Sequence, residues 1–148
     1  ITFKQARFAG RPWETEKVRT TCTYCGVGCQ LDLNIHEGKI IKVTGNREYG
    51  APNTGSLCVK GRFGMDFVDH PDRLKTPLVR KEGKLEESTW DEALEYISDG
   101  FSKIREKYGP DGIAGFSSAR CTNEENYLFQ KFMRAVIGTN NVDHCARL

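Results

Sequence analysis

Four cysteines with one long gap restrict this chain more than any other feature of its sequence. Their spacing is C-x2-C-x3-C-x28-C, and it comprises Cys22, Cys25, Cys29 and Cys58. The first three lie within eight residues, where two glycines, Gly26 and Gly28, allow the backbone to fold closely around an inorganic core. Thiolates are the ligands that an iron–sulfide core requires. The spacing therefore predicts one iron–sulfur cluster, of the [4Fe–4S] type.

Two other uses of these cysteines stay open on the spacing alone. A structural zinc site favours two C-x2–4-C pairs, but Cys58 has no second Cys or His close to it in the sequence. Disulfides are disfavoured because three cysteines so close together pair poorly. Cys121 and Cys145 lie outside the pattern, and we expect both to be buried small residues.

The composition argues against several classes of protein. The chain has 148 residues, and its 22 basic and 20 acidic side chains are well mixed, so no basic face for nucleic acid is expected. No run of about 18 apolar residues is present, and we expect no membrane span. Residues 1–20 do not resemble a signal peptide. We therefore expect a cytoplasmic location, and a periplasmic one stays open because the chain begins with Ile1 rather than Met.

The residue pattern divides the chain into three parts. Residues 1–18 are polar and irregular, which predicts a linker or an arm from an upstream domain. Residues 19–63 predict a small β-rich cluster domain, since alternating apolar residues on both sides of a Glu37-Gly38 turn indicate a β-hairpin. Residues 64–148 alternate between helix and strand patterns, which predicts the incomplete start of an α/β domain. The expected fold class is therefore α+β to α/β.

Capping signals place the helices of residues 64–148. Thr89-Trp90-Asp91-Glu92 has the form of a capping box, and Gly109-Pro110 ends the helix that it begins. Ile113 to Phe116 predicts a short buried strand. Asn123 is expected to cap a second helix, which Gly138 ends.

Read together, these residues resemble the catalytic subunit of molybdenum- or tungsten-dependent formate dehydrogenases, in the molybdopterin oxidoreductase superfamily. The resemblance extends over residues 19–148. It is carried by the segments Cys22–Cys29, Leu57–Phe63, Leu74–Leu78, Trp90–Ala93, Ser117–Asn126 and Ala135–Asp143. The cluster motif alone is shared with nitrate reductases of the same superfamily, whereas the last two segments favour the formate dehydrogenase branch.

The resemblance implies cofactors and roles for particular residues. The whole subunit would interconvert formate and CO2 at a Mo or W ion held by two pyranopterin guanine dinucleotides and by one cysteine or selenocysteine. Electrons would leave through a [4Fe–4S] cluster on Cys22, Cys25, Cys29 and Cys58 towards iron–sulfur partner subunits. Lys60 would lie between cluster and pterin as an electron relay. The alternative for Lys60 is an ordinary solvated lysine.

One loop is a second candidate for cofactor binding. Ser117 to Asn126 connects a predicted strand to a helix N-terminus, where backbone N–H groups favour anions such as a pterin phosphate. Arg120 suits bidentate binding of such a phosphate. An ion pair at the surface or between domains is an equally good interpretation of Arg120.

The resemblance also implies more chain than these residues. It places the metal-binding residue directly after Leu148, and our hypothesis is a selenocysteine codon read as a stop; a genuine fragment is the alternative. We expect the polypeptide to pack against a larger remainder and to be inactive alone. A nitrate reductase and a non-catalytic iron–sulfur electron-transfer subunit stay open as other functions.

Overall fold

A computed structural model describes residues 9–47 and 52–145 of the chain. They form two compact units, which we describe separately. The first contains the chain up to Arg73 together with Ala119–Glu125, and the second contains Leu74–Ser118 and the chain from Asn126 onwards. The sequence placed residues 64–73 in the later domain. The structure groups them with the first unit, because Met65 packs into its core and the Asp69 carboxylate accepts a hydrogen bond from the backbone of Ile40.

The first unit is built on a three-stranded antiparallel sheet. Its strands are β1 (Glu16–Thr21), β2 (Gln30–His36) and β3 (Lys39–Gly45), in that order across the sheet. The predicted hairpin is confirmed, and Glu37 and Gly38 form its turn with positive φ angles of 49° and 74°.

Strand β1 was not expected. It begins at Glu16, inside the segment that we predicted to be a linker (residues 1–18), of which residues 1–8 lie outside the described residues. All six residues of β1 are exposed, so the strand has no buried face and shows no alternation of apolar and polar side chains. Pairing with β2 is what makes this segment a strand.

The core of the first unit contains one of the cysteines of the motif. Leu31 is completely buried, and it clusters with Val43, Met65 and Cys22. Helix α1 (Val59–Phe63) is a short helix that directly follows Cys58. Cys22 is thus part of the packed interior of this unit, whereas Cys25 and Cys29 are half-buried and Cys58 is exposed.

The second unit combines a β-hairpin with α/β elements. The hairpin consists of β4 (Leu78–Lys81) and β5 (Lys84–Glu87), and the long helix α2 (Trp90–Tyr108) follows it. Strands β6 (Gly115–Ser118) and β7 (Val142–Cys145) are parallel, and helix α3 (Asn123–Phe132) lies between them in the sequence. The parallel pair joined through a helix is the arrangement typical of an α/β domain.

The predicted capping box of α2 is confirmed. The Thr89 side chain accepts from the backbone of Glu92 at 3.2 Å, and the Glu92 carboxylate accepts from the backbone of Thr89 at 3.3 Å. A hydrogen bond from the Ser88 hydroxyl is the main cause that lowers the pKa of Glu92. Gly109 ends the helix with φ of 77°.

Two predicted boundaries are wrong by one or two residues. Strand β6 begins at Gly115 rather than at Ile113, because its partner β7 reaches only as far as the pair Gly115–Val142. Thr122, rather than Asn123, caps helix α3: its backbone N–H donates to Glu125 at 2.6 Å, and its hydroxyl accepts from the backbone of Glu125 at 3.2 Å. The side chain of Asn123 therefore does not cap the helix and makes a different contact.

Helix α3 continues into a π-helical turn, Met133–Ile137, before Gly138 ends it with φ of 90°. Met133 and Ile137 pack with Ile113 in the core of the second unit. By contrast, the side chains of Leu94, Ile97 and Leu128 are about half exposed or more. Among the described residues, no helix has the length and apolar character needed to cross a membrane.

Candidate metal centre

Three of the four motif cysteines lie on the loop that joins β1 to β2. Cys22 directly follows β1 and Cys29 directly precedes β2. The backbone N–H of Cys22 donates to the carbonyl of Cys29 at 2.8 Å, which closes the loop at its base. Gly28 has φ of 71°, a conformation that favours glycine. The sheet therefore fixes both ends of the loop and holds three thiols at one end of a hairpin.

The fourth cysteine reaches this loop through helix α1. Cys58 is the N-cap residue of α1, and its carbonyl accepts from the backbone of Arg62 at 3.0 Å. Gly61, one turn along, approaches the loop closely, since a Cβ built on it would lie 3.4 Å from the sulfur of Cys22. The Tyr24 hydroxyl donates to the carbonyl of Gly64, just beyond the helix. The helix that carries Cys58 is thus packed against the loop that carries the other three.

Asn53 attaches the segment before Cys58 to strand β2. Its side chain accepts from the backbone N–H of Gln30 at 3.0 Å and donates to the Gln30 carbonyl at 3.1 Å. It also donates to the carbonyl of Ser56 at 2.8 Å. Gln30 is the residue directly after Cys29, so Asn53 brings the approach to Cys58 beside the end of the cysteine loop.

A close contact between two glycines supports the same attachment. A Cβ built on Gly45, at the end of β3, would lie only 1.8 Å from the carbonyl oxygen of Gly55. The two backbones can approach in this way because Gly45 has no side chain. Gly55 itself has φ of 85°.

The four thiols influence one another electrostatically. Burial is the main cause that raises the pKa of Cys29, and the neighbouring thiols Cys22, Cys25 and Cys58 raise it further. The backbone N–H of Gly61 is the main cause that lowers the pKa of Cys58; the N–H and the ammonium of Lys60 also lower it, against the opposing effect of burial. The other three thiols therefore lie close enough to Cys29 to raise its pKa, and Lys60 lies close enough to Cys58 to stabilise its thiolate.

This donor set fits an iron–sulfur cluster. All four motif cysteines are free thiols in the structure. In residues 9–47 and 52–145, no three His, Cys, Asp or Glu side chains are arranged to hold a single metal ion. Thiolates that accept backbone N–H bonds, as Cys58 does, are the ligands typical of a [4Fe–4S] cluster.

The other predicted residues have separate positions. Lys60 is exposed, on the first turn of α1, two residues after Cys58. Arg120 lies in an exposed turn between β6 and α3. Cys121 is half-buried, whereas Cys145 is exposed at the end of β7, so the expectation that both are buried is wrong for Cys145. A sheet of only two strands leaves this end of β7 uncovered.

Sequence reasoning missed the residues that hold the site together. They are Tyr24, Asn53, Gly61 and Asn123. The side-chain nitrogen of Asn123 donates to the carbonyl of Gly26 at 2.8 Å. The only signal in the sequence was their closeness to the cysteines or to a helix start. Asparagine and glycine are common in loops, so that signal is not specific.

Comparisons with known proteins cover nearly the whole chain. Residues 15–70 match the molybdopterin oxidoreductase Fe4S4 domain, and residues 73–148 match the molybdopterin oxidoreductase family. The F420-dependent formate dehydrogenase 1 subunit alpha of Methanococcus maripaludis is 51% identical over 91% of this chain. Formate dehydrogenase H of Escherichia coli is 50% identical over 90% of it. The chain spans 19% of the length of each of these two relatives.

A solved structure gives the same result for the fold. The acetylene hydratase from Pelobacter acetylenicus superposes on 87% of this chain with a TM-score of 0.68 and 25% sequence identity, and the match spans 18% of that protein. Together with the two matched segments, it confirms the predicted fold class, a small cluster domain followed by the start of an α/β domain.

Proposed function

We propose that this chain, which belongs to the molybdopterin oxidoreductase family, is part of the catalytic subunit of a formate dehydrogenase. Its two matched segments imply a [4Fe–4S] cluster and a molybdopterin cofactor. The observation that carries the proposal is the identity of 50–51% with formate dehydrogenases over nine-tenths of the chain. Because the chain spans about a fifth of those relatives, the activity belongs to the whole subunit.

The reaction defines what this segment contributes. Oxidation of formate to CO2 releases two electrons and one proton, and the reverse reaction consumes them. The Mo- or W-bound pterin supplies this two-electron chemistry when it is bound, with one cysteine or selenocysteine as a protein ligand. The residues of the present segment hold a cluster that carries electrons one at a time towards iron–sulfur partner subunits.

Cys22, Cys25, Cys29 and Cys58 are the ligands of the cluster in this proposal. Three observations support the assignment. The loop that carries the first three cysteines is closed by the backbone hydrogen bond from Cys22 to Cys29. Helix α1, which Cys58 caps, packs on that loop through Gly61. The charges of the other three thiols raise the pKa of Cys29, as expected for sulfurs that share one site.

Lys60 is the electron relay in this proposal. Its ammonium lowers the pKa of Cys58, which places a positive charge within electrostatic reach of a cluster ligand. A cation there stabilises the extra electron of a reduced cluster, because opposite charges attract. Its exposure is consistent with a position between the cluster and a second cofactor.

Arg120 is proposed to bind a phosphate of the pterin dinucleotide. Arg120 is exposed and belongs to the turn that precedes α3. Guanidinium groups bind phosphate through two parallel N–H bonds. We further propose a cytoplasmic enzyme.

Activity of the whole subunit tests the proposed function. We expect formate-dependent reduction of a viologen dye and about one Mo or W per subunit by elemental analysis. Nitrate-dependent oxidation of the reduced dye without formate activity would assign a nitrate reductase instead. A subunit that contains iron but neither Mo nor W would assign a non-catalytic electron-transfer protein.

A further inference from the structure

A single side chain connects the cysteine loop to a segment 97 residues away in the sequence. The Nδ2 group of Asn123 donates to the carbonyl oxygen of Gly26 at 2.8 Å. Gly26 lies between Cys25 and Val27 on the loop. A Cβ built on Gly26 would lie 2.4 Å from the Oδ1 atom of Asn123. The amide of Asn123 is therefore seated directly on the glycine, and both residues belong to the first unit.

Asn123 does not hold this position for the sake of the helix that it begins. The capping role is filled by Thr122, through its reciprocal bonds with Glu125. Those bonds fix the backbone on both sides of Asn123, so only its side-chain rotamer remains to be ordered by the contact with Gly26. Helix capping, the ordinary role of an asparagine here, does not explain the contact.

We propose that Asn123 is a positioning residue for the cluster, which it orients by fixing the peptide group between Gly26 and Val27. The inference rests on the proposed ligation of the cluster by the four cysteines. A trans peptide is planar, and its C=O and N–H point in opposite directions. A bond from Asn123 to the carbonyl of Gly26 therefore directs the N–H of Val27 away from Asn123 and prevents the peptide from rotating.

The orientation of this peptide matters because of where it lies. It belongs to the loop that carries three of the proposed ligands, and hydrogen bonds from backbone N–H groups to cluster sulfurs stabilise the reduced form. Without Asn123 the peptide rotates more freely and its N–H is less available to a sulfur. We expect the midpoint potential of the cluster to become more negative, with formate binding unaffected.

A double-mutant cycle tests the proposal in the full-length holoenzyme. Asn123→Ala removes the donor, and Gly26→Ala forces the Asn123 amide away, so both break the same contact. The matched control is Gly38→Ala in the turn between β2 and β3, where a Cβ would meet nothing within 4 Å but the positive φ makes alanine strained. The midpoint potential is read by redox titration of the cluster's paramagnetic resonance signal, with no formate present.

We expect the shifts in midpoint potential to be non-additive for one pair of substitutions only, Asn123→Ala with Gly26→Ala. Asn123→Ala and Gly26→Ala each shift the potential to more negative values, and the double variant shifts it no further than either. The effects of Gly38→Ala and Asn123→Ala add, because Gly38 lies at the opposite end of β2 from the cysteine loop and does not share the contact. An unchanged potential in Asn123→Ala, or full additivity with Gly26→Ala, would overturn the proposal.

Iron content and the behaviour of the unmodified enzyme decide the cases in which the redox titration of a variant does not. If a variant retains too little cluster for titration, iron bound per chain is compared in the same cycle, with the same expectation of non-additivity. If the unmodified enzyme shows a titratable cluster but no formate activity, the proposed function fails while the role of Asn123 is still tested. If it shows no [4Fe–4S] signal at all, the ligation itself is refuted.

Discussion

Replacing Gly45 by alanine should detach the segment that leads to Cys58 without touching any cysteine. The new Cβ would lie 1.8 Å from the carbonyl oxygen of Gly55, about half of an ordinary contact distance of ~3.5 Å. The obstacle is backbone, so it cannot be relieved by rotation of a side chain. The segment around Gly55 must move, and Asn53 lies only two residues before it.

The magnitude follows from the bonds that Asn53 makes. Its two hydrogen bonds to Gln30 contribute about 0.5–1.5 kcal/mol each. Losing both weakens the closed state by roughly 1–3 kcal/mol. Since ~1.4 kcal/mol is a factor of ten, the fraction of molecules with the Cys58 segment open should rise about five- to a hundredfold.

The assay is the rate at which a chelator removes iron from the full-length enzyme, followed by the loss of visible absorbance. We expect Gly45→Ala to lose iron at least about fivefold faster, because the open state exposes the cluster. Gly38→Ala is the matched control: its φ of 74° strains alanine, but a Cβ there meets nothing within 4 Å. If the two variants lose iron at the same rate, the attachment by Asn53 does not hold Cys58 in place, and the reasoning is refuted.

Three further predictions concern the charges and caps of the same chain. Lys60→Ala should leave the cluster assembled but slow formate-dependent dye reduction by roughly tenfold, equivalent to ~1.4 kcal/mol. Lys60→Arg should keep most of the rate, because it keeps the positive charge. Equal rates for the unmodified enzyme and both variants would contradict the role of Lys60 as a relay. In the cluster-free chain, iodoacetamide should modify Cys58 at lower pH than Cys29, because the thiolate is the reactive form. The N–H of Gly61 lowers the pKa of Cys58, whereas burial raises the pKa of Cys29. Peptide mass spectrometry over a pH series measures the order of modification, and the reverse order would be inconsistent with the structure. Thr89→Ala should lower the opening free energy of the first turn of α2 by about 1 kcal/mol, as measured by amide hydrogen exchange. Thr89→Ser keeps the hydroxyl and should not lower it. The same loss in both variants would show that the capping bond contributes nothing.

The elements that could be predicted from sequence are those fixed by local chemistry. The hairpin of β2 and β3 follows from alternation and a turn, and α2 follows from a capping box and a terminal glycine. Strand β1 was missed because every residue in it is exposed. The start of β6 was misplaced because it depends on where β7 begins beside it. Pairing over a long sequence distance leaves no local pattern.

The same division applies to the candidate site. The four cysteines are recognisable because the chemistry of the cluster dictates their type and spacing. The residues that support them are not, since Asn53 and Asn123 act through bonds to residues 23 and 97 positions away. An asparagine in a loop has many possible partners, and only the fold selects one. Sequence thus predicted the proposed ligands, and the structure was needed for what positions them.

The attachment by Asn53 has a consequence for the order in which the site assembles. Six residues separate Cys22 from Cys29, but 28 separate Cys29 from Cys58. Closing the longer stretch costs about 1.3 kcal/mol more in chain entropy, so in an unfolded chain the first three thiols meet iron before the fourth. Once the hairpin has formed and Asn53 is bonded to Gln30, only four residues remain between Asn53 and Cys58. Folding of the sheet therefore favours completion of the cluster, and a chain that cannot form the hairpin is expected to hold iron less firmly.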